Sequence, residues 1–237
     1  MFTAPDIHPC VQYEPSCVER PAPDPPPVAL ADLSERLRRA GPAGLDDADA
    51  LRLACGASAA AAAALLAEFG SLPEVLAAPC AALARIVTAT QAARLALAHD
   101  LVRRVLERPL RRRPVLSSST ALTAYLRGVL AGRSREQFRV LFLDKKNQLI
   151  RDEVMGEGTV DHAPVYPREV LRRALELNAS ALILAHNHPS GDPAPSAADV
   201  DMTRQVIAAA AALRIVVHDH VVVGGDEVAS FRALGLI

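Results

Sequence analysis

The chain has 237 residues, 51% of them hydrophobic and 22% charged, with 26 Lys and Arg against 27 Asp and Glu. That much apolar sequence can bury a sizeable core in one or two domains, and the near-neutral balance excludes a global attraction for nucleic acid while leaving room for local basic patches. The Ala-rich runs at 59–67 and 208–212 are shorter than the ~18 apolar residues a membrane span needs, so no membrane segment is expected.

Residues 1–29 carry eight prolines, from Pro5 to Pro27, which fix φ and remove backbone donors; this is read as a poorly ordered tail. Cys10 and Cys17 lie in it, Cys55 and Cys80 fall in Ala-rich helical sequence, and none has CxxC spacing. They read as unpaired thiols of a reducing compartment, and with no basic-then-apolar leader the expected location is cytoplasmic.

Residues 30–108 repeat apolar side chains at helical spacing, for example Leu33 and Leu37, Leu65, Leu66 and Phe69, and Leu97, Leu101 and Val105. They predict a small all-α domain, broken by Gly41-Pro42 and by the Gly70-to-Pro73 turn. Arg103, Arg104, Arg108, Arg111, Arg112 and Arg113 follow as a basic cluster entering a linker at 109–114, bounded by Pro109 and Pro114. The cluster fits phosphate contact with DNA as well as it fits arginines solvated at a helix C-terminus.

Residues 115–237 predict a second, α/β domain in which strands and helices alternate around one mixed sheet. Ser117 to Thr120 offer N-caps for a helix ending near Gly132. Phe138 to Asp144 reads as a buried strand, and Gln148 to Met155 as its hairpin return after Lys145-Lys146-Asn147. Pro167 opens a helix, Ala181 to Ala185 is a short apolar strand, Ser196 to Ala212 is a helix, and 214–223 holds one or two strands before a Gly224-Gly225 turn.

The chemistry concentrates in the stretch from Ala185 to Asp199. Side chains at i and i+2 of an extended backbone point to one side, so His186 and His188 can reach one ion while Asn187 points away. Pro189, Gly191, Pro193 and Pro195 make a stiff turn, after which Ser196 is placed to N-cap the next helix. Asp199 lies one helical turn further on, so it can return to the histidines as a third ligand. Two imidazoles and a carboxylate leave a zinc ion one open position, where a bound water has a pKa near ~7. Such a site also needs a carboxylate near the water but off the metal, and the Ser196 hydroxyl is a candidate for stabilising an oxyanion. His218 and His220 share a strand face and read as packing or as support for the main site, Asp192 as a turn former, and His162 as a surface residue.

His186-x-His188, seven residues, Ser196, two residues and Asp199 resemble the JAMM (MPN+, JAB) metalloprotease motif. The wider text, including Pro167-Arg168-Glu169, the run from Ala185 to Asp192, Pro195-Ser196 and Asp219-His220, resembles the bacterial RadC family, historically labelled DNA repair proteins. The resemblance implies a JAB/MPN-like, cytidine-deaminase-like mixed sheet with flanking helices. It also implies a zinc hydrolase of peptide or isopeptide bonds, acting on a peptide or protein, with His186, His188 and Asp199 on the metal. It places the family's catalytic glutamate at Glu136, with Glu153 on the hairpin return as the alternative. In such proteins the helical region resembles a helix-hairpin-helix module. Here the matching segment, Ala84 to Arg94, lacks both glycines and with them easy access to positive φ near a phosphate. The competing functional reading is a DNA-associated repair or recombination module using the arginines at 103–113, with the metal domain structural or regulatory; a nuclease using the same zinc is a third.

Overall fold

The computed structural model describes residues 28–115, 119–158 and 165–237. Almost all of the expected tail, Cys10, Cys17, Ser117, Ser118 and His162 lie outside the described residues.

The N-terminal half is helical, as its periodicity predicts. It contains α1 (Leu30–Ala40), a 3-10 turn (Pro42–Gly44), α2 (Asp47–Cys55), α3 (Ala59–Phe69), the short α4 (Leu72–Ala77) and α5 (Cys80–Leu83), and α6 (Ala89–Arg112). Local chemistry sets the starts. Asp46 caps α2 by accepting from the Asp49 N–H at 2.7 Å, Ser58 caps α3, and Thr88 forms a capping box with Gln91 at the head of α6. Leu51, Cys55, Ala62, Leu65, Leu83 and Leu95 close a core of their own. Among the described residues no single helix is long and apolar enough to cross a membrane.

The expected linker at 109–114 is corrected by α6, which runs through Pro109 to Arg112. Proline in the last turn forgoes one intrahelical bond, and tertiary contacts outweigh that cost. Leu110 is 1% exposed in the core of the α/β half, and Arg111 Nη1 donates to the Ile150 carbonyl at 2.9 Å. Half of the basic cluster is already paired on this helix: Arg103 with Asp100 and Glu107, Arg104 with Asp100, and Arg111 with Glu107.

The C-terminal half contains α7 (Ser119–Leu130), β1 (Gln137–Leu143), β2 (Leu149–Glu157), α8 (Pro167–Glu176), β3 (Ala181–His188), α9 (Ala197–Ala212), β4 (Val216–Gly224) and β5 (Glu227–Ser230). Its five-stranded mixed sheet has the order β2-β1-β3-β4-β5; β3 and β4 are parallel and the other neighbours antiparallel. On one face Leu141, Leu143, Ile183 and Ala185 pack with α7; on the other Phe138, Val140, Phe142, Leu182 and Leu184 pack with α8 and α9. With both faces covered, β1 and the apolar part of β3 are buried throughout, which explains their lack of polar alternation.

One polar network is buried on the α7 face. Arg139 Nη2 donates to Asp152 Oδ2 at 2.7 Å, Arg139 Nη1 to Gln137 Oε1 at 2.7 Å, and the Tyr125 hydroxyl also donates to Asp152. The Asp152 side chain is only 3% exposed, so removing it strands a buried guanidinium. Asp152→Ala is expected to lower the unfolding free energy by about 3–5 kcal/mol, read from the urea midpoint, and a paired Arg139→Met, Asp152→Leu change to recover much of that loss.

Candidate metal centre

The apolar run of β3 carries the chain to the sheet end, where it delivers a fully buried His186 and a partly exposed His188 on one face. Their Nε2 atoms lie 2.9 Å apart. The loop that follows is shaped against β4: a Cβ on Gly224 would fall 2.4 Å from Pro193 N, so only glycine lets the strand end approach it. Held there, the Asp192 carbonyl lies 2.8 Å from His188 Nδ1, while Asp192 Oδ1 accepts from the Ala194 N–H as a turn former.

Ser196 caps α9 as its sequence position predicts. Its hydroxyl accepts from the Asp199 N–H at 3.2 Å, and its own N–H and Oγ–H donate to Asp199 Oδ2 at 2.8 and 2.6 Å. The carboxylate therefore reaches the site already oriented, with Oδ1 3.4 Å from His186 Nε2 and Oδ2 3.5 Å from His188 Nε2. Burial pushes the Asp199 carboxyl up, but the hydrogen bonds and charge of His186 and the bonds from Ser196 outweigh it and hold it well below the usual carboxylate range. The Ser196 proton is spent on this carboxylate, so the oxyanion role expected from the sequence requires the hydroxyl to rotate away.

His186, His188 and Asp199 form the group among the described residues that could hold a metal ion. A tetrahedral ion with ligands at ~2.0–2.1 Å separates them by about 3.3 Å. The Nε2–Nε2 distance of 2.9 Å and the shortest approaches of the two Asp199 oxygens, 3.4 and 3.5 Å, lie on either side of that value, and one ligand atom from each residue lies within 4.8 Å of the others, so the donor set fits.

The β1–β3 register, Phe138 opposite His186, places Glu136 across from His188 when carried two residues further. Glu136 is 8% exposed and lines, with His188, a groove of about 660 Å³. Asn187, on the opposite face from the histidines, brackets it: Asn187 Oδ1 accepts from the Gln137 N–H at 2.9 Å, and Nδ2 donates to the Arg135 carbonyl at 3.1 Å. Glu153, the alternative, is engaged elsewhere. Both of its oxygens accept from Arg173, at 2.6 and 2.7 Å, and that contact lowers its carboxyl below the usual range. It also pairs opposite Val140, deeper in the sheet than Phe138.

His218 stands apart from the centre, with Nε2 2.8 Å from Asn147 Oδ1. His220 is part of its support, with Nε2 2.7 Å from His186 Nδ1. Thr203, one turn beyond Asp199 on α9, touches His220 and had no motif to announce it; only its i+4 spacing from Asp199 was legible.

Residues 116–236 match the family described as RadC-like JAB domain. The chain belongs to that family. It is also similar to a UPF0758 protein of Rhodobacter capsulatus, 54% identical over 175 residues, which cover 73% of this chain and 82% of that protein. The RadC resemblance and the α/β sheet read from the sequence both stand on this match.

The bracketing of Glu136 gives a direct test. Asn187→Ala removes two buried hydrogen bonds and is expected to cost about 1–3 kcal/mol in unfolding free energy. It should also speed hydrogen exchange at the Gln137 amide relative to other β1 amides.

Proposed function

We propose that this protein is a zinc-dependent hydrolase of peptide or isopeptide bonds. The observation that carries the reading is the convergence of two imidazole nitrogens and one carboxylate within 2.9–3.5 Å of one another, at the end of a groove that also holds Glu136. A set of two imidazoles and one carboxylate suits zinc better than magnesium or calcium, which prefer oxygen. Zinc, when bound there, supplies Lewis acidity at an open position.

The rest belongs to this chain. His186, His188 and Asp199 hold the ion, and Ser196 fixes the carboxylate. Glu136, held by Asn187 on both sides and off the metal, takes and returns the proton. The groove favours a polypeptide over a phosphodiester. Glu68, Glu74, Glu136 and Glu157 line it against Arg133 and Arg135, a balance that repels a nucleic-acid backbone. Three arginines of the basic cluster are moreover already paired with carboxylates.

The purified protein is expected to carry stoichiometric zinc, and His186→Ala or His188→Ala to lose it, as read by elemental analysis. Screened against peptide and DNA substrates together, wild type should cleave peptides. Glu136→Gln should keep the metal and lose about 10²–10⁴-fold in rate. A wild type without zinc, a Glu136→Gln variant of undiminished activity, or cleavage confined to DNA would each overturn the reading.

A further inference from the structure

We propose that Arg133 is a specificity-determining residue that binds a carboxylate of the substrate, so that the groove takes peptides carrying an acidic side chain or a free C-terminus beside the bond cleaved. This deepens the hydrolase reading and rests on it. The observation is a cation without a counter-ion. Arg133 lies between α7 and β1 and lines the groove shared by His188 and Glu136. Its side chain makes one hydrogen bond among the described residues, from Nε to the Val129 carbonyl at 2.6 Å, and pairs with no carboxylate there. The carboxylates whose charge reaches it are committed elsewhere. Asp152 accepts from Arg139 and Tyr125, and Glu157 Oε1 accepts from Gln137 Nε2 at 2.7 Å. Burial, and after it repulsion by Arg139, pushes the guanidinium below its usual range.

The side chain is held in place rather than sealed. Gly132, at φ +73°, is packed so closely that a Cβ there would fall 2.9 Å from Glu74 N, and Asn187 Nδ2 lies 3.5 Å from the Arg133 carbonyl, so the backbone is fixed on both sides. The bond to Val129 orients Nε. Among the described residues the buried side-chain nitrogen without a partner is Arg52 Nε, so the Nη atoms of Arg133 keep contact with solvent. The charge of Arg133 also lowers His99 on α6, second to burial, so the side chain reaches toward the helical half.

Two free Nη groups fit a flat anion. A peptide carbonyl takes one N–H and leaves the charge standing, whereas a carboxylate takes two in parallel and neutralises it. A phosphate matches the fork equally well, but a nucleic-acid strand brings a run of charges into a groove that also holds Glu68, Glu74, Glu136 and Glu157. A peptide brings one carboxylate to Arg133 and no further charge. That carboxylate has two sources, an Asp or Glu side chain and the end of a polypeptide.

The test uses the full chain and fluorescently labelled hexapeptide mixtures, paired as Glu against Gln at fixed positions and as C-terminal acid against amide. Affinity is read by anisotropy, the place of binding by the Arg133 Nε–H NMR signal, and cleavage separately. The Glu or acid member should bind about 10- to 100-fold tighter than its neutral isostere. An advantage confined to one pair names the source of the carboxylate. Arg133→Met should abolish the difference, Arg133→Lys keep part of it, and Arg133→Glu turn the preference to Lys-bearing mixtures, which a purely structural role does not predict. In cleavage, the loss in Arg133→Met should fall on KM rather than kcat. Equal affinity within both pairs overturns the inference, as does a folded Arg133→Met protein with the wild-type preference, or an oligonucleotide that outcompetes every acidic mixture. Failure of the hydrolase reading is distinguishable: no mixture is then cleaved, while the binding comparison still decides the role of Arg133.

Discussion

The antiparallel pairing of β1 with β3 is the constraint on which the centre depends. Phe138 opposite His186 fixes the strand ends so that His186 and His188 share one face, Asn187 takes the other, and Glu136, just before β1, lines the same groove as His188. A slip of one residue would reverse every one of these assignments. The apolar pattern alone does not prevent that slip, because β3 is apolar on both faces from Ala181 to Ala185 and a shifted strand would bury nearly as well. Polar groups specify the register instead. Asn187 bonds the backbone at Arg135 and Gln137, and Arg139 meets Asp152 on β2, so each neighbour of β1 is pinned by at least one directional contact. The residue between the two histidines thus has a task of its own, aligning the strand that brings Glu136.

The electrostatics are arranged so that the candidate carboxylate ligand, Asp199, is ionised while partly buried. Asp199 is in the first turn of α9, where the helix N-terminus favours negative charge, and Ser196 places two donors on Oδ2. One residue serves as helix cap and as prospective ligand. The cost of taking its charge out of water is offset locally, before a cation contributes anything. His220 shows the complementary device: a fully buried imidazole whose burial holds it well below the usual imidazole range, with both ring nitrogens satisfied by His186 and Thr203.

Much of this was legible in the sequence, for identifiable reasons. The strand into His186 announces itself by its apolar run, the Ser196 cap by its position after Pro195, and Asp199 by helical spacing, because all three are short-range signals within one stretch. What was not legible depends on pairing between distant segments. His220 reads from the sequence as a packing or support residue but its partner does not, since the contact of Thr203 with it exists only once α9 lies across β4. Glu136 and Glu153 cannot be separated by residue type; only the fold shows the second engaged by Arg173 on α8. Pro109 misled for the opposite reason. Its local rule ends a helix, but the burial of Leu110 lets α6 continue.

The helical half is part of the groove rather than an appendage to it. Glu68, Phe69, Glu74 and Ala78 line one side, while Glu136, His188 and Gly225 line the other. The two halves meet at backbone distance: Gly132, which ends the turn after α7 at φ +73°, leaves so little room that a Cβ there would fall 2.9 Å from Glu74 N. Alanine at that position would strain the turn and push α4 away together. The segment from Ala84 to Arg94 holds no glycine, and α6 after it is 24 residues long and reaches from the helical core into the α/β core at Leu110. A rigid strut of that kind keeps a wall in place. The helical region thereby forms a wall of the groove that leads to His188 and Glu136.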